Sequence, residues 1–248
     1  MADYNNPVLR GQTAAAGVMD AGLRAYMLRI YNYMLVGLVL TGATAWLTAE
    51  TQFGNLFFQE TFINGHPAIG LSILGWIALF APLGLVLFLS WRIQAMSAAT
   101  AHLTFLIYAG IMGISLAPIL LLYTGVSVAQ TFFITAGTFG AMSLWGYTTK
   151  ANLSGFGSFL FMGLIGVIIA SVVNFFLHSS AMAFAISVVG VLVFTGLTAY
   201  DTQSIKEMYS ANDDGSIAGK KAIMGALRLY LDFVNLFLML LRLFGNRR

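Results

Sequence analysis

Seven long apolar runs dominate this chain and limit what it can fold into. They lie near residues 30–49, 68–90, 98–123, 126–148, 157–177, 181–201 and 223–244. Each has about 20 residues, the length of α-helix that crosses the hydrocarbon core of a bilayer. Only 8% of the 248 residues are charged, against roughly 25% in soluble domains. The sequence therefore predicts an all-α integral membrane protein with seven transmembrane helices.

A more polar stretch precedes the first apolar run. Residues 1–27 mix polar residues with Ala and Gly and show no cleavable signal sequence, so the first run is the expected targeting element. We interpret residues 1–27 as a cytoplasmic N-terminal segment and residues 28–248 as a single seven-helix transmembrane domain. The chain has no Cys, which excludes disulfides and thiolate metal sites.

Lys and Arg residues alternate between the two sides of the predicted bundle. They occur in the N-terminal segment and after the second, fourth and sixth runs, at Arg10, Arg24, Arg29, Arg92, Lys150, Lys206, Lys220 and Lys221. The connections after the other runs carry neither, so the positive-inside rule predicts a cytoplasmic N-terminus. Arg242, Arg247 and Arg248 then lie outside. Either charge is tolerated there or the seventh run does not fully cross; we favour seven crossings.

Two carboxylates belong to apolar runs rather than to connections. Asp201 ends the sixth run, and Asp232 lies about nine residues into the seventh, roughly 14 Å along a helix. A carboxylate at that depth costs a few kcal/mol unless it is paired, protonated or hydrated, so it is a functional candidate by default. Arg228 and Asn235 share a helix face with Asp232. A purely structural intrahelical ion pair of Arg228 with Asp232 also fits this spacing.

The two carboxylates are expected at the same depth. The sixth run ends on the cytoplasmic side and the seventh begins there, so Asp201 and Asp232 both belong to the cytoplasmic half of the bundle. Arg92, at the inner end of the second run, lies at a compatible depth. Two nearby carboxylates can share one proton, bind a hard cation such as Ca²⁺, or be neutralised by Arg. Asp201 and Asp232 are therefore a candidate pH sensor and candidate Ca²⁺ ligands.

Two stretches of the sequence resemble a known family. AYDTQSIK at residues 199–206 and ALRLYLDFVNLFLMLLRLFG at residues 226–245 strongly resemble the two terminal signatures of the Bax inhibitor family, the transmembrane Bax-inhibitor-motif proteins. The length, the seven runs and the basic inner loops also fit, so the resemblance covers nearly the whole chain. Roughly the first hundred residues match in hydropathy alone.

The resemblance implies a central last helix wrapped by the other six, and a pH-sensitive Ca²⁺ leak gated by a paired-aspartate latch. The latch maps onto Asp201 and Asp232, with Arg228 and Asn235 as neighbours. In some members an Arg at the inner end of the second helix is tied to the latch, and Arg92 is the candidate here. The family also includes animal proteins that restrain cell death and bacterial proteins that modulate a membrane-bound protease. The alternative is therefore a non-conducting regulatory protein that binds other membrane proteins.

Other functional classes fit less well. Intramembrane aspartyl proteases also use a Tyr-Asp pair, but they need Gly-x-Gly-Asp where this chain has LYLD at residues 229–232. The singly placed basic residues argue against nucleic acid, and the scattered His66, His102 and His178 argue against a transition-metal site. We predict a non-enzymatic protein without cofactors in a bacterial inner membrane. Its expected partners are the lipid bilayer, Ca²⁺, protons and other membrane proteins.

Overall fold

Seven α-helices form most of the structure, a computed structural model that describes residues 7–63 and 66–248, with side chains at 21–59, 61 and 70–248. The helices are α1 (Pro7–Glu50), α2 (Ile73–Arg92), α3 (Ala98–Leu122), α4 (Gly125–Thr148), α5 (Ser154–Leu177), α6 (Ser180–Glu207) and α7 (Gly215–Phe244). Short 3₁₀ helices follow α1 and α2, at Gln52–Leu56 and Ile93–Ala95. Strands β1 (Phe58–Ile63) and β2 (His66–Leu71) form an antiparallel hairpin between α1 and α2.

Short polar side chains fix where most of the helices begin. The side chain before each of α2, α3, α4, α6 and α7 accepts a hydrogen bond from an amide of the first helical turn; these caps are Ser72, Ser97, Thr124, Ser179 and Asp214. The first amides of a helix have no partner within it, so a capping oxygen contributes about 1 kcal/mol. The polar residues between apolar runs therefore set the helix starts.

Six of the described helices are long and apolar enough to cross a membrane, namely α1 from Ala21 onward, α2, α3, α5, α6 and α7. The predicted fourth span near 126–148 is the helix α4, but its Ser, Thr and Gly residues leave it without a comparably apolar stretch. Nevertheless α4 packs against α6 and α7, so it lies within the same bundle. The predicted all-α membrane fold is confirmed.

Helix α7 lies at the centre of the bundle. It packs against α1, α3, α4 and α6. Its apolar stretch is 67% buried, against 44% for α6 and at most 28% for the other candidate spans. The central position of the last helix is thus confirmed. Four helices, rather than all six, make its main contacts, because α2 packs on α3 and α5 packs on α6 at the periphery.

Several helices extend beyond the apolar runs that predicted them. Helix α6 continues to Glu207, past the predicted end at residue 201, and α7 begins at Gly215 rather than near residue 223. An apolar run marks only the part of a helix inside the hydrocarbon, whereas polar residues continue the helix into the interface. Asp201 is therefore inside α6 and not at its end. Likewise, α1 runs from Pro7 straight through the predicted segment boundary at residue 27.

Residues 245–248, which we call the C-terminal strap, tie the end of α7 to the connection between α3 and α4. The amide of Thr124 donates to the carbonyl of Asn246 at 3.0 Å, and the amide of Arg248 donates to the carbonyl of Leu122 at 3.0 Å. Helix α3 begins beside the end of α2, so the strap lies at the opposite end of the bundle from Arg92. Helix α7 has 30 residues, roughly 45 Å of helix, and it runs the full length of the bundle.

Candidate functional site

The two aspartates meet between α6 and α7. Asp201 lies about two helical turns before the end of α6, and Asp232 lies near the middle of α7. The two carboxyl groups lie next to each other in the lining of one cavity. Asp232 is only 4% exposed, and no N–H or hydroxyl group of the described residues donates to its buried Oδ2. Since an ionised carboxylate has no hydrogen to donate, the two groups can form a hydrogen bond only when one of them carries a proton.

Arg228 pairs with Asp201 and not with the aspartate of its own helix. Its Nη1 lies 3.9 Å from Asp201 Oδ1, and the two side chains are 41% and 16% exposed. At this distance and exposure the contact is a loose ion pair that places positive charge beside the carboxyl pair. The intrahelical ion pair of Arg228 with Asp232 that the spacing allowed does not occur in the described structure.

The other two candidate partners differ in position. Asn235 Nδ2 donates to the carbonyl of Leu231 at 2.8 Å, so the side-chain oxygen of Asn235 is left as an acceptor near Asp232. Arg92 is exposed at the end of α2, and no carboxylate in the described ranges lies within ion-pair distance of it. The structure therefore groups four of the five predicted site residues and leaves Arg92 apart.

A cavity of about 940 Å³, which we call the acid cavity, adjoins this cluster. It lies among α2, α5, α6 and α7, and its polar lining residues are Ser158, Ser171, Tyr200, Asp201, Arg228, Asp232 and Asn235. Leu, Ile, Val, Phe and Met side chains form most of the remaining wall. A molecule or ion that enters the cavity therefore reaches the carboxyl pair directly.

Thr202, the residue after Asp201, links three helices through hydroxyl groups. Its Oγ1 lies 2.9 Å from Ser143 Oγ of α4, and Ser143 Oγ lies 2.5 Å from the hydroxyl of Tyr31 in α1. Because each hydroxyl can both donate and accept, the three form a continuous hydrogen-bonded chain. This chain fixes the face of α6 that turns away from the acid cavity.

Gln203 fixes the connection between α4 and α5. Its Oε1 accepts from the amide of Leu153 at 2.8 Å, and its Nε2 donates to the carbonyl of Ala151 at 2.8 Å. From the sequence alone, no role was predicted for Thr202 or Gln203. The available signal was a Thr-Gln pair directly after a buried Asp, because polar side chains inside a membrane bundle usually bond to a neighbouring helix.

The site offers few oxygen ligands to a divalent cation. The described residues contain no cluster of three or more His, Cys, Asp or Glu side chains. Ca²⁺ takes roughly six to eight oxygen ligands and binds more tightly as carboxylates are added. Two carboxyl groups with one amide oxygen therefore form a weak site. His102 and His178 lie at opposite ends of the bundle, and the side chain of His66 is outside the described residues.

Fold and site together define a class: a polytopic α-helical membrane protein with a carboxyl pair in the wall of an interior cavity. Sequence comparison supplies the family. The chain belongs to the family described as "Inhibitor of apoptosis-promoting Bax1", which matches residues 23–248. The family resemblance predicted from the two C-terminal stretches is thereby confirmed.

Several relatives are bacterial proteins of the same length. The chain is 50% identical to "Inner membrane protein YbhL" of Escherichia coli over 92% of this chain and 94% of that protein. It is 47% identical to "Uncharacterized protein RP147" of Rickettsia prowazekii over 100% of both chains. It is also 42% identical to an uncharacterized protein of Borreliella burgdorferi, over 90% of this chain and 92% of that protein.

Proposed function

We propose that the protein is a pH-sensitive Ca²⁺ leak channel of a bacterial inner membrane, with Asp201 and Asp232 as its latch. The observation that carries this proposal is a pair of neighbouring carboxyl groups, one from α6 and one from α7, in the wall of the acid cavity. Ionisable side chains inside the hydrocarbon core of a membrane cost free energy, and they typically serve ion or proton pathways. The name of the Escherichia coli relative supports the location, and the distribution of Lys and Arg supports a cytoplasmic N-terminus.

The number of protons on the carboxyl pair sets the state of the latch. With one proton, the pair forms its hydrogen bond and keeps one negative charge that attracts Arg228. With no proton, two negative charges repel each other, and with two protons the attraction to Arg228 is lost. Both changes weaken the contact between α6 and α7. The leak is therefore lowest for the singly protonated pair and rises toward both acid and alkaline pH.

Ca²⁺ is the transported ion in this proposal and not a resident cofactor. When ionised, Asp201 and Asp232 offer hard oxygen ligands, and Asn235 adds a neutral one. Conduction requires binding that is weak enough for the ion to leave, which agrees with the small number of carboxylates in the site.

The proposal is tested by measuring Ca²⁺ flux into liposomes that contain the purified protein and a Ca²⁺-sensitive dye. Flux should exceed that of empty liposomes and pass through a minimum between about pH 5 and pH 9. Flux at the level of empty liposomes throughout this range would contradict the channel. The non-conducting regulator that binds other membrane proteins would then be the better interpretation.

Substitutions separate hydrogen bonding from charge. Asn at 232 donates to Asp201 without titrating, so Asp232→Asn should stay closed at alkaline pH, where the wild type leaks. Asp232→Ala has no hydrogen bond and should leak at every pH. Asp201→Asn keeps a donor to Asp232 but loses the ion pair with Arg228, so at alkaline pH its flux should exceed that of Asp232→Asn. Asp213→Asn changes a carboxylate that pairs with Lys221 at 2.6 Å outside the cavity, and it should match the wild type.

A further inference from the structure

We propose that the acid cavity binds a phospholipid with a primary-ammonium headgroup. The acyl chain lies along the cavity, and the headgroup lies between Arg228 and the two aspartates. This proposal concerns the occupant of the cavity and does not depend on whether the protein conducts Ca²⁺.

The length of the cavity matches one leaflet of a bilayer. Along α7 the lining runs from Arg228 to Met239, eleven residues or roughly 16 Å of helix. Along α5 it runs from Gly157 to Val172, fifteen residues or roughly 22 Å. Half of the hydrocarbon core is about 15 Å thick. The cavity is therefore long enough for one extended acyl chain parallel to the helices.

The lining changes from polar to apolar along this length. Ser158, Tyr200, Asp201 and Arg228 lie at the end near the cytoplasmic termini of α5 and α6, in the predicted orientation. Val172, Phe194 and Met239 lie toward the other end, where the hydroxyl of Ser171 is bonded to the carbonyl of Val167 in its own helix at 2.7 Å. This change in polarity matches an amphiphilic ligand, whose head would lie at the polar end and whose tail would lie at the apolar end.

The polar end offers both signs of charge to a ligand. Arg228 is 41% exposed and holds Asp201 only loosely, at 3.9 Å, so its guanidinium has N–H donors available for a phosphate. Asp232 is buried and its Oδ2 accepts no hydrogen bond from the described N–H and hydroxyl groups. A primary ammonium has three donors and can contact both carboxyl groups. A phosphoethanolamine head carries this phosphate and this ammonium a few bonds apart.

The cavity is accessible from the surrounding lipid. Helix α2 packs mainly on α3, and α5 packs mainly on α6, so extensive packing of α2 on α5 does not close the cavity between them. Ile168 and Val172 of α5 line it while remaining 53% and 56% exposed. Because these side chains border both the cavity and the outer surface of the bundle, a lipid can enter from the side.

Native mass spectrometry of the full-length protein in detergent tests the proposal by counting bound lipids. Dioleoyl phosphatidylethanolamine, phosphatidylcholine and phosphatidylglycerol share acyl chains but differ in the head: only the first combines N–H donors on a cation with a phosphate. We expect the ethanolamine lipid to bind about tenfold more tightly than the other two, as charge-assisted hydrogen bonds imply. Asp201→Asn and Asp232→Asn should each reduce that preference to about threefold or less.

A matched pair of variants locates the acyl chain. Ile168→Trp fills the cavity, and Ile169→Trp places the same side chain one position away, on an equally exposed residue that does not line it. The first should lower binding of the ethanolamine lipid about tenfold, and the second should leave it unchanged. Equal binding of the three lipids, preference for choline or glycerol, or equal behaviour of the two Trp variants would each overturn the proposal.

Discussion

Gln203 shows how much one side chain can fix in a membrane bundle. It is 8% exposed, and both ends of its amide bond to the backbone of the connection between α4 and α5. Lys206, one turn further along α6, donates to the carbonyl of Tyr147 at 2.8 Å in the same region. The segment that begins α5, and so borders the acid cavity, is therefore held by residues next to the latch.

Gln203→Met should destabilise the protein by about 2 kcal/mol, because the buried amide of Leu153 loses its acceptor. Gln203→Glu keeps that acceptor but turns a carboxylate oxygen toward the carbonyl of Ala151, so it should destabilise the protein at neutral pH and less at acid pH, where a protonated carboxyl can donate. Denaturant titration of the purified protein measures both. Gln130→Met, at an exposed position in α4, is the control. Equal losses for the Gln203→Met and Gln130→Met proteins would contradict this role.

Gly157 allows α5 to approach the latch closely. A Cβ atom added at Gly157 would overlap the ring of Tyr200, the residue before Asp201, whereas a Cβ added at Gly155 would meet nothing within 4 Å. Gly157→Ala should therefore destabilise the protein by about 1 kcal/mol or more, despite the better helix propensity of Ala. Gly155→Ala should be neutral or slightly stabilising. Thermal unfolding in detergent compares the two, and equal midpoints would disprove the contact.

At this scale the sequence could predict which residues lie together but not always what they touch. The positions of Asp201 and Asp232 within apolar runs are a property of the sequence, so their proximity could be predicted, while their function as a site stays a prediction. The spacing of Arg228 and Asp232 was compatible with a bond within one helix, but the rotation of α7 against α6 directs Arg228 to Asp201. The rotation of α7 about its axis depends on packing across the whole α6–α7 interface. The spacing of two residues in the sequence does not predict it. The role of Arg92 in the latch stays a prediction, from a position exposed at the end of α2.

At the scale of elements, α4 depends on its neighbours most. It has no stretch as apolar as those of the other helices, yet Thr131, Thr135 and Ser143 are buried on its inner face. Hydroxyls in a bundle can bond to backbone or to a neighbouring helix, so a polar face is stable once packed. We infer that α4 is held in place by α6 and α7 more than by its own hydropathy.

Ser143→Ala tests this dependence. The substitution removes the hydroxyl that bonds both Thr202 and Tyr31, so α4 should be destabilised by about 1 kcal/mol relative to the wild type. Thr138→Ala, at a half-buried position of the same helix, is the comparison. Urea titration monitored by Trp fluorescence measures the difference. If both variants unfold at the same urea concentration, the hydroxyl chain does not hold α4.

The elements themselves were largely predictable, because a bilayer admits few backbone structures. Unpaired backbone groups are so costly in hydrocarbon that every long apolar run becomes a helix. The hairpin of β1 and β2 was not predicted, although the sequence between its strands reads Asn-Gly, a dipeptide that favours two-residue hairpin turns. A search for membrane spans passes over short strands in connections. For the same reason the predicted second run began near residue 68, inside β2.

At the scale of the whole molecule, α7 runs from one end of the bundle to the other. The connection between α6 and α7 lies at one end, and the C-terminal strap lies at the other. The distribution of Lys and Arg predicts that the first is cytoplasmic. The arginines of the strap are then an exception to the positive-inside rule, which tolerates charge after the final crossing when earlier loops dominate.

The orientation can be measured directly because the chain has no Cys. Asn212→Cys and Arg248→Cys each introduce a single thiol, at exposed positions at opposite ends of the bundle. A membrane-impermeant maleimide should label Arg248→Cys in intact spheroplasts and Asn212→Cys only after permeabilisation. The reverse result would invert the orientation. Labelling of both without permeabilisation would contradict a full crossing by α7.

The central position of α7 has a consequence for how the protein is made. The ribosome produces α1 to α6 before the helix around which four of them pack. Until α7 emerges, the Thr41 hydroxyl lacks the Tyr230 hydroxyl that it meets at 2.7 Å in the finished bundle. The insertion machinery or the lipid must therefore shelter the unfilled core among α1, α3, α4 and α6. The core therefore closes late in biosynthesis. A defect in α7 leaves a chain whose other helices are inserted but whose core is not packed.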